Sequence, residues 1–141
     1  MAERERPSNS RATVLIVDDD TDTLKLVSIT LQQAGYEVRR APSGAEALKM
    51  LDDLNPDAIV LDLMMPLMSG MELMRLLKVK FPWPPPVIMF TAKGQIEDKI
   101  EGMESGAFRY LVKPVAKEAL LGAIKDAIRE KRGRPRLTGR W

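Results

Sequence analysis

Five short segments with the composition of β-strands alternate along the chain with longer segments of helical periodicity. The first, third and fourth are continuous apolar runs, whereas the second alternates in polarity and is predicted to lie at a sheet edge. Short strands that alternate with helices favour right-handed parallel crossovers. The sequence therefore predicts an α/β fold with a doubly wound parallel sheet, which has helices on both faces. The predicted strands cover residues 12–18, 36–41, 57–62, 87–92 and 108–114.

Capping residues and prolines mark where the predicted helices begin and end. Ser43 and Ser69 are predicted to cap the second and third helices, and Glu46 completes a capping box with Ser43. We expect the second helix to end at Asn55, which precedes a proline. Residues 81–86 have the sequence FPWPPP, in which four residues lack an amide proton. This segment is therefore predicted to be a rigid connector.

The other predicted helices, residues 22–34, 95–105 and 117–132, carry apolar side chains at helical spacing. In the last helix, Leu120, Leu121, Ile124 and Ile128 are expected to face the core. The fourth helix carries Ile96, Ile100 and Met103 at this spacing.

Composition excludes several classes of function. The chain of 141 residues contains no cysteine and no histidine, so disulfides, thiol nucleophiles, Ser-His triads and histidine zinc sites are excluded. No apolar run is long enough to cross a membrane, and the charged N-terminus does not resemble a secretory signal. We therefore expect a cytoplasmic protein with a polar extension over residues 1–11 and one domain over residues 12–128. Residues 129–141 are predicted to be a basic tail or the start of a linker.

Residues whose side chains can bind ligands or take part in a reaction follow four of the five predicted strands. Asp18 and Asp19 follow the first, Asp62 the third, Thr91 the fourth and Lys113 the fifth. The carboxyl ends of parallel strands meet at one edge of the sheet, where such folds bind ligands. Clustered carboxylates repel one another unless a cation lies between them, and oxygen ligands suit Mg²⁺. A lysine beside them favours an anion such as phosphate, and a carboxylate can be a nucleophile toward phosphorus.

These residues, together with two longer segments, resemble the receiver domain of bacterial two-component response regulators. The segments are LDLMMPLMSG around Asp62 and GMESGAFRYLVKP, which contains Tyr110 and Lys113. The resemblance covers residues 12–128 and is closest to the single-domain, chemotaxis-regulator-like architecture. It implies a flavodoxin-like (βα)5 fold with strand order 2-1-3-4-5.

The resemblance also implies roles for the residues at the strand ends. Asp62 would accept a phosphoryl group from the phosphohistidine of a sensor histidine kinase or a histidine phosphotransfer protein. Mg²⁺ or Mn²⁺ would be held by Asp18, Asp19, Asp62 and the backbone carbonyl of Met64. Lys113 would contact the carboxylate of Asp62 and then the phosphoryl group. The family function is signalling rather than enzymatic, since the domain catalyses only its own phosphorylation and slow dephosphorylation.

A conformational switch is a further implication of the resemblance. Thr91 would move toward the phosphoryl group, and Tyr110 would turn inward to fill the vacated space. The surface of the fourth helix, fifth strand and fifth helix would then change for a downstream protein partner or output domain. The family implies a cis peptide bond between Lys113 and Pro114. We expect no direct binding of nucleic acid by the receiver and no membrane contact.

The sequence departs from common patterns of the family at two places. Met64 and Lys93 occupy variable positions that tune the lifetime of the phosphoryl group. Met64 offers no polar group to orient water, and Lys93 can reach over the oxygens of a phosphoryl group on Asp62, so we expect slow hydrolysis. Residues 107–110 read AFRY, without the acidic pair found in regulators that have winged-helix DNA-binding domains. The symmetric dimer of those regulators is therefore not expected here.

Two alternative functions remain beside the phospho-acceptor hypothesis. One is a receiver that binds its partner without phosphorylation, although all the expected site residues are present. The other is an aspartate-nucleophile phosphatase of similar architecture. Such an enzyme would have a second aspartate two residues after the nucleophile, where Asp62 is followed by Met64; the pair Asp18 and Asp20 fits that spacing only superficially.

Overall fold

The five predicted strands all form in a computed structural model that describes residues 11–135. Residues 1–10 and 136–141, which include most of the predicted N-terminal extension and part of the basic tail, lie outside the described residues. The strands are one or two residues shorter at their ends than the sequence pattern predicts. Their bounds are Thr13–Val17 (β1), Glu37–Ala41 (β2), Ala58–Leu61 (β3), Val87–Thr91 (β4) and Arg109–Val112 (β5).

All pairings in the sheet are parallel, and the strand order is β2-β1-β3-β4-β5. This order confirms the predicted 2-1-3-4-5 topology and places β2 at an edge. Three residues of β2 are exposed, whereas all of β3 is buried. The registers align the carboxyl ends, with Val17 opposite both Ala41 and Leu61 and Thr91 opposite Val112. One edge of the sheet therefore collects the residues that follow β1, β3, β4 and β5.

Five helices connect and cover the strands, and two of them have the predicted caps. Ser43 and Ser69 accept hydrogen bonds from the backbone N–H of Glu46 and Glu72. The second helix ends at Met50, earlier than Asn55, because residues 51–53 form a turn. The segment 81–86 is neither helix nor strand, as predicted. The helices are Thr21–Gln33 (α1), Gly44–Met50 (α2), Gly70–Lys80 (α3), Ile96–Glu104 (α4) and Lys117–Arg132 (α5).

Each face of the sheet carries its own apolar core. One core joins α1 and α5 to side chains such as Val14, Ile16 and Ile88. The other joins α2 and α3 to the alternate side chains of the same strands, such as Leu15, Leu61 and Met89. Alternation of side chains along a strand explains this division, since both faces of β1, β3 and β4 are covered.

The larger apolar side chains of α4, which are Ile96, Ile100 and Met103, point away from the core. Their exposed fractions are 73%, 52% and 42%. The buried residue of α4 is Gly102, where an added Cβ would lie 2.7 Å from Tyr110 Cδ2 and 2.8 Å from Met89 Sδ. The glycine brings the helix backbone close to the sheet, so the apolar stripe is turned toward solvent.

The last helix extends beyond the predicted domain boundary at residue 128. Residues 129–132 form the final turn of α5, which matches the helix predicted over residues 117–132, although the predicted domain boundary places them in the basic tail. Lys131 holds this turn in place because its ammonium donates to Asn55 Oδ1 at 3.1 Å and to the Pro56 carbonyl at 2.6 Å. Among residues 11–135, no helix combines the length and apolar character needed to cross a membrane.

Candidate functional site

The carboxyl edge of the sheet brings an acidic cluster together. One carboxylate oxygen from each of Asp18, Asp19 and Asp62 lies within 4.8 Å of the other two. Asp18 and Asp62 are buried, with exposed fractions of 2% and 7%, whereas Asp19 is exposed. Their closeness follows from the topology, since β1 and β3 are adjacent and end at the same level. The sequence prediction that these three residues meet is therefore consistent with the geometry.

Burial and charge act together on the pKa of Asp18. Burial raises this pKa, and the nearby charge of Asp62 raises it further. Opposing effects come from the backbone N–H of Asp20, which donates to Asp18 Oδ1 at 2.9 Å, and from Lys113. A bound cation would relieve the repulsion, and a cluster of carboxylate oxygens matches the ligand preference of Mg²⁺. The donor set therefore fits a hard divalent cation.

Lys113 places its ammonium between the two buried carboxylates. Its Nζ lies 3.1 Å from Asp18 Oδ2 and 3.8 Å from Asp62 Oδ2. The same nitrogen lies 5.1 Å from the centre of the Phe90 ring, a cation–π contact that the sequence reasoning did not identify. The Lys113–Pro114 peptide bond is cis. The lysine therefore supplies a fixed positive charge beside Asp62, where an anionic group would need it.

Thr91, Lys93 and Tyr110 form a hydrogen-bonded chain next to this charge cluster. The buried hydroxyl of Thr91 accepts from the Lys93 backbone N–H at 3.3 Å. The Tyr110 hydroxyl donates to the Lys93 carbonyl at 2.7 Å, and its ring is buried. Burial raises the pKa of Tyr110, and the charges of Asp98 and Glu101 raise it further.

The side chain of Lys93 points toward α4. Its ammonium lies 3.6 Å from a carboxylate oxygen of Asp98. The sequence had suggested that this lysine reaches over a phosphoryl group on Asp62. No signal in the sequence predicted the pairing with Asp98, because it depends on how α4 packs against the loop after β4.

The loop after β3 folds back against the end of that strand. The Met64 N–H donates to Asp62 Oδ1 at 3.2 Å, and the Gly70 N–H donates to the Leu63 carbonyl at 3.1 Å. A Cβ at Gly70 would lie 2.6 Å from the Asp62 carbonyl oxygen. The close approach of α3 to the end of β3 therefore favours a glycine at this position.

Comparison with known proteins identifies relatives of this arrangement. Residues 14–125 match the family model described as response regulator receiver domain. The chain is 43% identical over 117 residues to the DNA-binding dual master transcriptional regulator RpaA of Synechocystis sp.. It is 40% identical over 118 residues to the phosphate regulon transcriptional regulatory protein PhoB of Pseudomonas aeruginosa. These matches cover 82% and 83% of this chain but only 48% and 52% of the two regulators. The chain thus spans about half the length of these curated relatives.

Two solved structures of similar proteins match this chain over nearly their whole length. The chemotaxis protein CheY4 of Vibrio cholerae is 38% identical, with a TM-score of 0.76, and the match covers 84% of this chain and 99% of that one. A response regulator from Chloroflexus aurantiacus is also 38% identical, with a TM-score of 0.80, and covers 85% and 99%.

Proposed function

The chain belongs to the response regulator receiver domain family, and we propose that Asp62 accepts a phosphoryl group from a phosphohistidine of a partner protein. The observation that carries the proposal is the position of the Lys113 ammonium, 3.1 Å from Asp18 and 3.8 Å from Asp62 within the acidic cluster. A carboxylate nucleophile, a fixed cation and a set of oxygen ligands are the groups that phosphoryl transfer needs.

The proposed transfer is a displacement at phosphorus. A carboxylate oxygen of Asp62 forms the new O–P bond while the P–N bond of the phosphohistidine breaks. The electron pair of that bond stays on the imidazole nitrogen, which takes up a proton from solvent. Lys113 pairs with the carboxylate before transfer and with the phosphoryl oxygens after it. The Thr91 hydroxyl, which lies at the same edge of the sheet, would donate to one of those oxygens.

A divalent metal ion, Mg²⁺ or Mn²⁺, would be held by Asp18, Asp19, Asp62 and the backbone carbonyl of Met64. The closeness of the three carboxylates and the raised pKa of Asp18 support this proposal. The chemistry supplied by such an ion is neutralisation of negative charge on the phosphoryl oxygens. This chain's own contribution is to hold the ligands in a half-buried cluster at the mouth of the site.

The proposed output is a change in the surface formed by α4, β5 and α5. Thr91 and Tyr110 both bond to the backbone of Lys93, so a movement of Thr91 would be transmitted to the tyrosine. A downstream protein partner or an output domain would read the surface. The receiver itself is proposed not to bind nucleic acid. We place this signalling in the bacterial cytoplasm, because the relatives named above include bacterial transcriptional regulators.

Slow loss of the phosphoryl group is a further part of the proposal. Met64 is 57% exposed and carries no polar side-chain group that could orient an attacking water. The Lys93 ammonium, which pairs with Asp98, would have to leave that carboxylate to contact the phosphoryl group. The domain would therefore be a signalling element that catalyses its own phosphorylation and only slow dephosphorylation.

Intact-mass measurement after incubation with acetyl phosphate and Mg²⁺ tests the acceptor. Wild type should gain one phosphoryl group, and Asp62→Asn should gain none. Asp20→Asn is the matched control, since Asp20 is also an aspartate at this edge but is exposed and bonds to the Thr23 hydroxyl. The control should be labelled like wild type, and a chelator should prevent labelling. Labelling of Asp62→Asn would mean that another residue is the acceptor, and no labelling of wild type would favour a phosphorylation-independent receiver; either result would contradict the proposal.

A further inference from the structure

A strained turn lies in the loop between β3 and α3. The Met68 N–H donates to the Pro66 carbonyl at 2.7 Å and closes a three-residue turn with Leu67 at its apex. Leu67 has a φ of 68° and is the only non-glycine residue with positive φ among residues 11–135. This conformation is costly for leucine, and glycine or asparagine adopts it more easily. The residue at this apex is therefore not the one that backbone stability favours.

Packing within the domain does not explain the leucine. The Leu67 side chain is fully exposed, with a fraction of 105%. Its neighbours in the loop behave differently, since Met65 is buried and Met68 packs against the core near Gly44. The two methionines anchor the loop on either side and leave the leucine pointing outward. The backbone conformation thus holds an apolar side chain in solvent, where burial within the domain does not stabilise it.

The turn belongs to the edge of the sheet that carries Asp62. The hydrogen bond between Gly70 and Leu63 closes the loop, so residues 64–69 begin and end next to the carboxyl end of β3. Any protein that brings a phosphohistidine to Asp62 must approach the edge of the sheet at which this loop begins and ends. A second copy of the chain, or a partner that reads α4, is under no such requirement.

We infer that Leu67 is a specificity-determining contact for the phosphodonor protein, seated against an apolar patch beside the donor's phosphohistidine. The inference rests on the proposed function and adds a residue outside the reacting groups. A fixed apolar contact loses little freedom when it is buried in an interface, so its position on a rigid turn favours recognition. A small phosphodonor does not reach the turn and gains nothing from it.

Two donors distinguish recognition from chemistry. One is acetyl phosphate. The other is the autophosphorylated histidine kinase that labels wild type fastest in a panel of purified kinases. The variants are Leu67→Asn and Leu67→Gly, which suit the backbone but remove the apolar group. We expect transfer from the kinase to fall about tenfold or more, with the loss in KM, because burial of a leucine side chain is lost. Labelling by acetyl phosphate should stay within about twofold.

Two controls complete the design. Leu67→Met keeps an apolar group and should retain most of the transfer from the kinase. Val79→Ala removes an apolar side chain that is 80% exposed near the far end of α3, and it should leave both donors unaffected. Leu67→Gly should also raise the unfolding midpoint, since it relieves the positive φ.

The remaining outcomes separate this inference from the proposed function. Unchanged transfer from the kinase in Leu67→Asn would overturn the inference, and so would equal losses with both donors, since the residue would then act on the chemistry. If Leu67→Asn lost self-association while transfer from the kinase stayed unchanged, Leu67 would contact a second copy of the chain, and the inference would again be overturned. Labelling of wild type by acetyl phosphate but by no kinase would overturn the kinase as the occupant and leave Asp62 as acceptor. Failure of acetyl phosphate itself would overturn the proposed function.

Discussion

Helix α4 packs against β5 on one face of the sheet, and helix α5 packs against β3 and β4 on the other, and the two helices are attached in different ways. The buried residues of α5 are spaced along most of its length, and they are Leu120, Ala123, Ile124, Ala127 and Ile128. The buried residue of α4 is Gly102, and its larger apolar side chains face solvent. Both helices are amphipathic, but only α5 directs its apolar side chains into a core.

The difference separates a structural helix from one that is free to respond. Displacement of α5 would expose several apolar side chains to water and would cost much of the stability of its core. Displacement of α4 would break a close backbone contact but expose little apolar side-chain area of the helix. A change at the carboxyl edge can therefore move α4 at low cost, which agrees with its place in the proposed output surface.

The test with the largest expected effect on stability truncates one isoleucine in each helix. Ile124 in α5 is fully buried, so Ile124→Ala should lower the free energy of unfolding by about 2–5 kcal/mol. Ile100 in α4 is 52% exposed, so Ile100→Ala should change it by less than about 0.5 kcal/mol. Urea unfolding midpoints measure both effects. Losses of similar size would contradict the difference between the two helices.

The second test adds a methyl group to one glycine in each helix. At Gly102, a Cβ would collide with the Tyr110 ring and with Met89. At Gly122 in α5, no atom lies within 4 Å of the added Cβ. Overpacking costs about 1–3 kcal/mol, and alanine in place of glycine gains up to about 1 kcal/mol in a helix. Gly102→Ala should therefore destabilise the protein by about 1–2 kcal/mol.

Gly122→Ala is the matched control, and it should stabilise the protein by about 0.5–1 kcal/mol. Unfolding midpoints give the sign directly. If both variants were stabilised, α4 would have room to back away from Tyr110, and the close contact would not constrain the helix.

The orientation of α4 shows what the sequence pattern could not predict. Spacing at Ile96, Ile100 and Met103 identified an amphipathic helix correctly, but it could not say whether that face meets the core or solvent. The decisive residue is Gly102, which has no side chain and so contributes nothing to an apolar pattern. The burial of α5 was predicted correctly, because its longer apolar stripe packs against β3 and β4.

The candidate site was more predictable than the packing of α4. Strand ends in a parallel sheet converge by topology, so Asp18, Asp62 and Lys113 could be grouped once the strands were assigned. Contacts made by side chains across that edge were less predictable. The Phe90 ring near Lys113 and the Asp98 partner of Lys93 depend on rotamers and on the position of α4, which no local pattern records.

The test with the smallest expected effect on stability concerns the hydrogen bond that connects Tyr110 to the loop before α4. Tyr110→Phe removes the 2.7 Å bond to the Lys93 carbonyl, which should lower the free energy of unfolding by about 0.5–1.5 kcal/mol at neutral pH. The pKa of Tyr110 is raised in the folded state, mainly by burial. Its contribution is therefore fully present below the ordinary tyrosine pKa of 10.0 and is lost as the pH rises through the folded value.

The difference between wild type and Tyr110→Phe should accordingly shrink in unfolding experiments run above pH 10.0. Tyr36→Phe provides a comparison on the α1 side, because burial also raises the pKa of Tyr36 and the charge of Arg132 opposes that shift. Tyr36→Phe tests whether the loss of stability at alkaline pH is general for tyrosines that are at least partly buried. A Tyr110→Phe variant as stable as wild type at neutral pH would mean that this hydrogen bond does not hold the ring inward, and that close packing against Gly102 alone does so.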